Sequence, residues 1–136
     1  MNKLIIFVSI LFIGIFTSCK EKSTVNADTA YVSNFSAKAG MEIIQFHSEH
    51  RCKTCMKIEE DVQAAIRPYG NIPFKLINVD DEANTALSKE FEATGTALFL
   101  YDPVTGKKHD LTDFAFMTAF EDEKFIKGLQ KEIDQF

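Results

Sequence analysis

Four short segments of the chain have the composition and length of β-strands. Apolar and β-branched residues fill Met41–Phe46, Phe74–Val79 and Thr96–Tyr101. The turn-forming run Asp102–Gly106 follows the third of these segments, and Lys107–Leu111 can return beside it as a fourth strand. The last two strands are therefore expected to form a hairpin.

Three further segments place their apolar residues at helical spacing. The first is expected to start near Cys52 and to end before Pro68, because a proline ring does not fit a helix interior. Its apolar positions are Cys55, Ile58, Val62, Ala65 and Ile66. A short second helix carries Leu87 and Phe91 four residues apart, and Glu121–Phe136 forms an amphipathic third helix.

The predicted order of elements is βαβαββα, which indicates an α/β fold. Two strands joined through a helix pair in parallel by the right-handed crossover rule, whereas a hairpin adds antiparallel strands. We therefore expect a mixed four-stranded sheet with helices on both faces, arranged in three layers.

The N-terminal residues have the organisation of an export signal. Lys3 precedes the uncharged run Leu4–Phe16, which is too short to span a membrane comfortably. The quartet Phe16-Thr17-Ser18-Cys19 resembles a lipobox, although Phe replaces the usual leucine at its first position. An ordinary secretory signal and an uncleaved anchor are the alternatives.

This organisation predicts a bacterial lipoprotein anchored to a membrane and facing the periplasm or the exterior. Residues 1–18 are the signal peptide, 19–35 are the lipidated Cys19 with a flexible polar tether, and 36–136 are the folded domain. A domain of this length has room for one hydrophobic core.

The charge of the chain excludes one class of partner. The formal net charge is −5 and no basic patch is visible in the sequence, so binding to nucleic acid is not expected. If Cys19 carries lipid, the remaining cysteines are Cys52 and Cys55. These two can pair with each other, with a substrate or with a metal.

The Cys52-Lys53-Thr54-Cys55 motif lies between a predicted strand and a predicted helix. Unpaired backbone N–H groups and the helix dipole at that position favour a thiolate over a thiol. Cys52 is therefore the expected nucleophile, and Cys55, one turn into the helix, is the expected resolving thiol.

Charged residues around the motif are expected to influence the Cys52 thiol. Positive charge that would favour its thiolate comes from Arg51, Lys53 and Lys57, with His50 as a further tuning group. The acidic Glu59–Asp61 segment lies farther along the helix and is expected to be solvated.

The strand ending at Phe46, the CxxC helix and the segment Val79–Phe91 together resemble the thioredoxin superfamily. This resemblance covers roughly Met41 to Tyr101, and the C-terminal helix fits it too. More narrowly, the segment Phe46–Glu60 resembles the ArsF-type thioredoxin-like family, which is described as a nitrophenyl compound nitroreductase subunit. The resemblance implies a thioredoxin-like fold with a redox dithiol, and we do not carry over a nitroreductase activity.

Three positions depart from the pattern that the resemblance implies. Gln45 stands where thioredoxins usually carry a buried aspartate, and Thr96-Ala97-Leu98 lacks the usual cis-proline. Arg51 stands where a tryptophan usually precedes the first cysteine, and the chain has no Trp. The departures disfavour a general disulfide reductase and favour a dedicated substrate or a bound metal.

A metal site is an alternative use of the same segment. His47 and His50 precede the two cysteines to give H-x-x-H-x-C-x-x-C, a set of ligand groups that suits zinc, copper(I) or trivalent arsenic. Otherwise His47 ends the first strand as a half-buried polar residue. His109 is expected to be a surface residue at a strand edge.

The aromatic run Phe114, Phe116, Met117 and Phe120 precedes the last helix. Such a cluster usually belongs to the core, and the alternative is an exposed patch that docks a partner protein near the dithiol.

The sequence thus predicts a cell-envelope thiol-disulfide oxidoreductase without a cofactor, monomeric, that acts through Cys52 and Cys55 on a dedicated partner protein. The alternatives are a module binding copper, zinc or arsenic and a non-catalytic subunit of a membrane redox assembly.

Overall fold

The structure, a computed structural model, describes residues 40–136. The predictions for the signal peptide, for Cys19 and for the tether lie outside the described residues. The strands are β1 (Glu42–His47), β2 (Phe74–Asn78), β3 (Ala97–Asp102) and β4 (Lys107–Asp110). The α-helices are α1 (Lys53–Ile66), α2 (Thr85–Glu90), α3 (Thr112–Thr118) and α4 (Asp122–Gln135), and two 3₁₀ turns occupy Arg67–Tyr69 and Glu82–Asn84.

The strands form one four-stranded mixed sheet in the order β2-β1-β3-β4. β1 pairs in parallel with β2 and antiparallel with β3, and β4 continues antiparallel to β3. Phe46, near the end of β1, lies opposite Ile77 on one side and Ala97 on the other. The end of β1 and the start of β3 therefore share one edge of the sheet, which we call the α1 edge because α1 begins there.

The two faces of the sheet are covered by different helices. One cluster of buried residues joins alternate positions of β1 and β3 to α1, α3 and α4, and its largest members include Ile43, Leu100 and Phe125. The other cluster lies on the opposite face, where Phe46, Phe91 and Phe99 pack with ring centroids 5.1–5.9 Å apart. Since β1 is one of the two inner strands, its residues are buried on both faces.

Helices α1 and α4 run in parallel along the first face. Three contacts join them, and each links residues 65 positions apart in the chain. They are the Lys57–Asp122 ion pair at 3.0 Å, the Gln130 amide donating to the Ala65 carbonyl at 3.0 Å, and the Tyr69 hydroxyl donating to Asp134 at 2.9 Å. The constant offset shows that the two helices keep one register over this length.

The thioredoxin-like α/β fold predicted from the sequence is confirmed. All four strands occur within about one residue of their predicted bounds. The hairpin is present, and α4 buries the predicted face with Phe125, Leu129 and Ile133. The α3 helix is an addition to the predicted order, because its seven residues lack two full turns of apolar spacing.

The prediction that the aromatic run belongs to the core is correct only in part. Phe114 is half-buried and packs against Phe125 at a centroid distance of 5.4 Å. In contrast, Phe116, Met117 and Phe120 are exposed. The helix α3 therefore has an inner side that joins the core and an outer side that does not.

None of the helices among residues 40–136 combines the length and the apolar character that crossing a membrane requires.

Candidate functional site: the dithiol at the start of α1

Cys52 is the N-cap residue of α1. Its backbone is extended, with φ −80° and ψ 164°, and its Sγ accepts a hydrogen bond from the backbone N–H of Cys55 at 3.3 Å. A helix start has N–H groups without carbonyl partners, and an N-cap side chain normally satisfies them with oxygen. Here a sulfur atom has that role, and the side chain is exposed to solvent.

This position favours the thiolate of Cys52. The pKa of its thiol lies below the ordinary value of 9.0, and the largest cause is the hydrogen bond with the Cys55 side chain. Backbone N–H groups of Cys55 and Thr54 lower the pKa further, and burial opposes them only in part. Because the first turn of α1 holds no acidic residue, no negative charge on that turn opposes the thiolate.

Cys55 lies directly behind Cys52 and is only 4% exposed. Its Sγ is 2.9 Å from the hydroxyl oxygen of Thr96, the residue before β3. The buried amide of Gln45 donates a hydrogen bond to the Cys55 carbonyl at 2.9 Å. These contacts fix both the backbone and the thiol of Cys55 against the sheet.

The two thiols therefore differ sharply in environment. Both are free, with Cys52 open to solvent and Cys55 closed off. One chain of contacts runs from the Thr96 hydroxyl through Cys55 Sγ to the Cys52 thiol. An exposed thiolate with a buried thiol behind it can attack an external sulfur and then be attacked from within.

Arg51 was expected to supply positive charge near the Cys52 thiol. Its guanidinium instead forms an ion pair with the carboxylate of Glu59, which lies in the second turn of α1. Each group neutralises the charge of the other. Glu59 is half-buried, whereas it was expected to be solvated. The hydrogen bonds described above, rather than this cation, account for the lowered pKa of Cys52.

Lys57 is likewise engaged by carboxylates, those of Asp61 at 2.7 Å and Asp122 at 3.0 Å. These partners raise the pKa of Lys57, chiefly through the hydrogen bond with Asp61. The expectation that Asp61 is solvated is wrong, since it is 2% exposed and packs between α1 and α4. Burial raises the pKa of its carboxyl, and the Lys57 ammonium only partly offsets that effect.

The other predicted site residues, Lys53, His50 and His47, lie at or near the surface. Lys53 and His50 are exposed. His47 ends β1 half-buried, as predicted, and its Nδ1 lies 3.0 Å from the Ser48 carbonyl. His109 is exposed on the edge strand β4 and lies 3.0 Å from Glu132. Within residues 40–136 no group of three or more His, Cys, Asp and Glu side chains is arranged to hold a metal ion.

Thr96 also lines a cleft of about 690 Å³ whose lining does not include Cys55. Its lining combines apolar residues with charged ones: Phe91, Ala97 and Phe99 with Glu90, Glu92, Lys108, Asp110 and Asp113. Thr96 is thus the residue that joins the buried thiol to an open part of the surface.

Thr96 was missed as a site residue by sequence analysis, which assigned it only to the start of a strand. The signal that could have found it is topological. A strand that pairs antiparallel with β1 starts beside the residues where β1 ends, and α1 begins at the same edge. The first residues of β3 therefore face the CxxC motif wherever the hairpin pairs with β1.

Comparison with models of known protein families gives no match for this chain, and comparison with functionally characterised proteins gives no significant match.

The geometry predicts which groups set the pKa of Cys52. Alkylation of Cys52 by iodoacetamide should reach half its maximal rate at a pH below 9.0. In Cys55→Ala the midpoint should rise, because the thiolate loses its first hydrogen-bond donor, and Cys55→Ser should shift it less. The rate is measured against pH by mass spectrometry of the modified peptide.

Arg51→Gln is the matched control for this experiment. Its guanidinium is held by Glu59, so the alkylation midpoint should stay where it is in the unmodified protein. A rise as large as that of Cys55→Ala would show that charge, rather than hydrogen bonding, sets the pKa.

Proposed function

We propose that this protein is a thiol-disulfide oxidoreductase of the bacterial cell envelope that acts on a dedicated partner protein. The observation that carries the proposal is the asymmetry of the dithiol. Cys52 is exposed at a helix N-terminus with a lowered pKa, whereas Cys55 is buried and hydrogen-bonded to Thr96. A pair that served only to close a structural loop would not need one reactive and one protected thiol.

In the first step the Cys52 thiolate attacks one sulfur of the partner's disulfide. A bond forms between Cys52 Sγ and that sulfur, the partner's S–S bond breaks, and its second sulfur leaves as a thiolate. The N–H of Cys55 and the thiol of Cys55 hold the attacking sulfur in its ionised form until the new bond takes up its charge.

In the second step Cys55 attacks Cys52 Sγ and displaces the partner. Cys55 must first lose its proton, which the partner thiolate released in the first step can accept. The Thr96 hydroxyl, 2.9 Å away, can donate a hydrogen bond to the Cys55 thiolate that results. The products are a Cys52–Cys55 disulfide and a partner dithiol, so two electrons pass to the partner. The reverse sequence oxidises a partner dithiol by the same bonds.

The location in the envelope rests on the N-terminal sequence. An export signal ending at a lipobox-like quartet supports attachment through Cys19 to a membrane. Attachment raises the effective concentration of any partner held in the same membrane. Disulfide chemistry of this kind suits an exported protein, because thiols of the cytosol are kept reduced.

Single-turnover kinetics with glutathione disulfide test the two steps. Cys52→Ser should abolish the reaction, because no exposed nucleophile remains at the helix start. Cys55→Ser should complete the first step and stop there, so that one glutathione stays attached to Cys52. Intact-mass measurement after acid quenching distinguishes the bare, glutathionylated and disulfide forms of the protein.

The double variant Cys52→Ser/Cys55→Ser supplies the background rate for these measurements. Glutathione attached to Cys55 rather than Cys52 in the single variants, or equal reaction of both single variants, would contradict the assigned roles.

Thr96 is expected to support the second step only. Thr96→Val keeps the shape of the side chain and removes the hydroxyl, so displacement of the partner should slow by about tenfold, the value of a hydrogen bond to a charged group. Thr96→Ser keeps the hydroxyl and should restore most of the rate. Quenched-flow mass analysis follows decay of the mixed disulfide.

The first step gives the internal control for Thr96→Val, because formation of the mixed disulfide should proceed at the unmodified rate. If Thr96→Val and Thr96→Ser slow the second step equally, the hydroxyl has no part in it.

A further inference from the structure

Helix α3 and the turn that follows it carry three large apolar side chains that the fold leaves in solvent. Phe116 is 44% exposed, Met117 79% and Phe120 70%. Phe116 and Met117 lie in α3, and Phe120 lies in the turn just after Ala119, the C-cap residue of the helix. We call these three residues the α3 patch.

The α3 helix is held firmly in place by its inner side. Ala115 and Thr118 are buried, and the Thr118 hydroxyl donates to the Phe114 carbonyl at 2.7 Å. The Phe114 ring packs on Phe125 and also over Gly128, where a Cβ atom would lie 2.6 Å from it. The α3 patch is therefore exposed because of how α3 is anchored, and not because α3 is loose.

The first contact between α1 and α4 brings the end of this patch toward the start of α1. Lys57, two residues after Cys55, forms an ion pair with Asp122, two residues after Phe120, with the nitrogen and oxygen 3.0 Å apart. Met56, beside Cys55 in α1, is itself half-exposed.

The strands lead to the same placement by an independent route. Thr96, which contacts Cys55 Sγ, lies two residues before Leu98, and the Leu98 N–H donates to the Thr112 hydroxyl at the start of α3. Helix α3 therefore begins at the α1 edge, beside Leu98, which follows by two residues the Thr96 that contacts Cys55.

We propose that the α3 patch is the docking surface for the partner's disulfide-bearing segment, and that this segment carries a large apolar side chain beside its reactive cysteine. The inference rests on the proposed function. When Cys52 is bonded to a partner sulfur, the partner's chain must lie close to Cys52, and the α3 patch lies between two points that contact the dithiol's surroundings, the start of α3 near Thr96 and the start of α4 at Lys57. Apolar contact there would hold the partner's sulfur in line for attack.

The size and surroundings of the α3 patch favour this occupant over a second copy or a lipid surface. The three side chains expose roughly 400 Å², if about 200 Å² is taken for a full side chain of this size, whereas a stable dimer buries about 800 Å² on each partner. Asp113, Glu121 and Glu123 are exposed near it, and Lys124 and Lys127 pair with the last two. The segment Thr112–Phe120 itself holds no Lys or Arg that would attract an anionic lipid surface.

Two chromogenic peptide disulfides test the proposal on the full chain. Both carry 2-nitro-5-thiobenzoate on a single cysteine, and they differ only in the flanking residues, Phe and Leu in one and Ser and Gly in the other. The reduced protein should release the chromophore from the apolar peptide at least about tenfold faster, equivalent to about 1.4 kcal/mol of binding in the transition state. The double variant Met117→Ser/Phe120→Ser should lose most of that preference.

Val104→Ser is the matched control, since Val104 is 84% exposed in the β3–β4 turn, at the edge of the sheet opposite the dithiol. It should retain the full preference, and all variants should react with glutathione disulfide at the unmodified rate, which also shows that they fold. Equal rates for the two peptides, with glutathione disulfide still reduced, would overturn the docking surface and leave the proposed function standing. Failure with glutathione disulfide as well would overturn both.

Two measurements test the other occupants. Sedimentation velocity tests for a second copy of the chain, and flotation with phosphatidylglycerol-containing vesicles tests for a lipid surface. The variant Met117→Ser/Phe120→Ser would overturn the proposal if it kept the peptide preference and changed the oligomeric mass or the vesicle binding. Such a result would assign the patch to a second copy or to the bilayer.

Discussion

The capping of α1 by the Cys52 sulfur is the interaction on which the account of this site depends. A helix that follows a central strand begins with N–H groups that need an acceptor, and in this chain the acceptor is a thiol. The same contact that completes the helix start also stabilises the thiolate. The cap and the hydrogen bond with the Cys55 side chain, which lowers the pKa of the Cys52 thiol most, therefore favour the thiolate without a nearby cation.

The rest of the site follows from the position of that helix start. One turn later, Cys55 must face the sheet, where the amide of Gln45 and the hydroxyl of Thr96 contact it. Gln45 holds the Cys55 backbone without carrying a titratable group, so the support that reaches the Cys55 thiol itself comes from Thr96. The ion pairs of Arg51 and Lys57 tie the outside of α1 to its own carboxylates and to α4.

Much of this could be predicted from the sequence, because it depends on local patterns. Three strands were recognisable from short apolar runs and the fourth from the turn before it, whereas α1 was recognisable from its spacing and from Pro68. The CxxC motif was correctly placed between a strand and a helix. The burial of Asp61 could not be predicted, since it depends on α4 packing over α1, a contact between residues far apart in the chain.

The burial of the aromatic run also depends on contacts between residues far apart in the chain, so it could not be predicted from the sequence. The segment Phe114–Phe120 presents four large apolar residues within seven positions, and the packing of Phe114 on α4 decides which of them faces inward. Thr96 is a small polar residue with no motif of its own, and it acquires its position through the antiparallel pairing of β3 with β1. Both features are set by tertiary structure.

Equilibration of the full chain in glutathione buffers of graded potential tests the central claim most directly. The fractions of dithiol and disulfide protein are quantified by intact mass after acid quenching and thiol alkylation. The account predicts one reversible two-electron transition that converts Cys52 and Cys55 together into a single intramolecular disulfide, and its loss in Cys52→Ser. Two thiols that never pair with each other at any potential, or that accept glutathione independently, would contradict it.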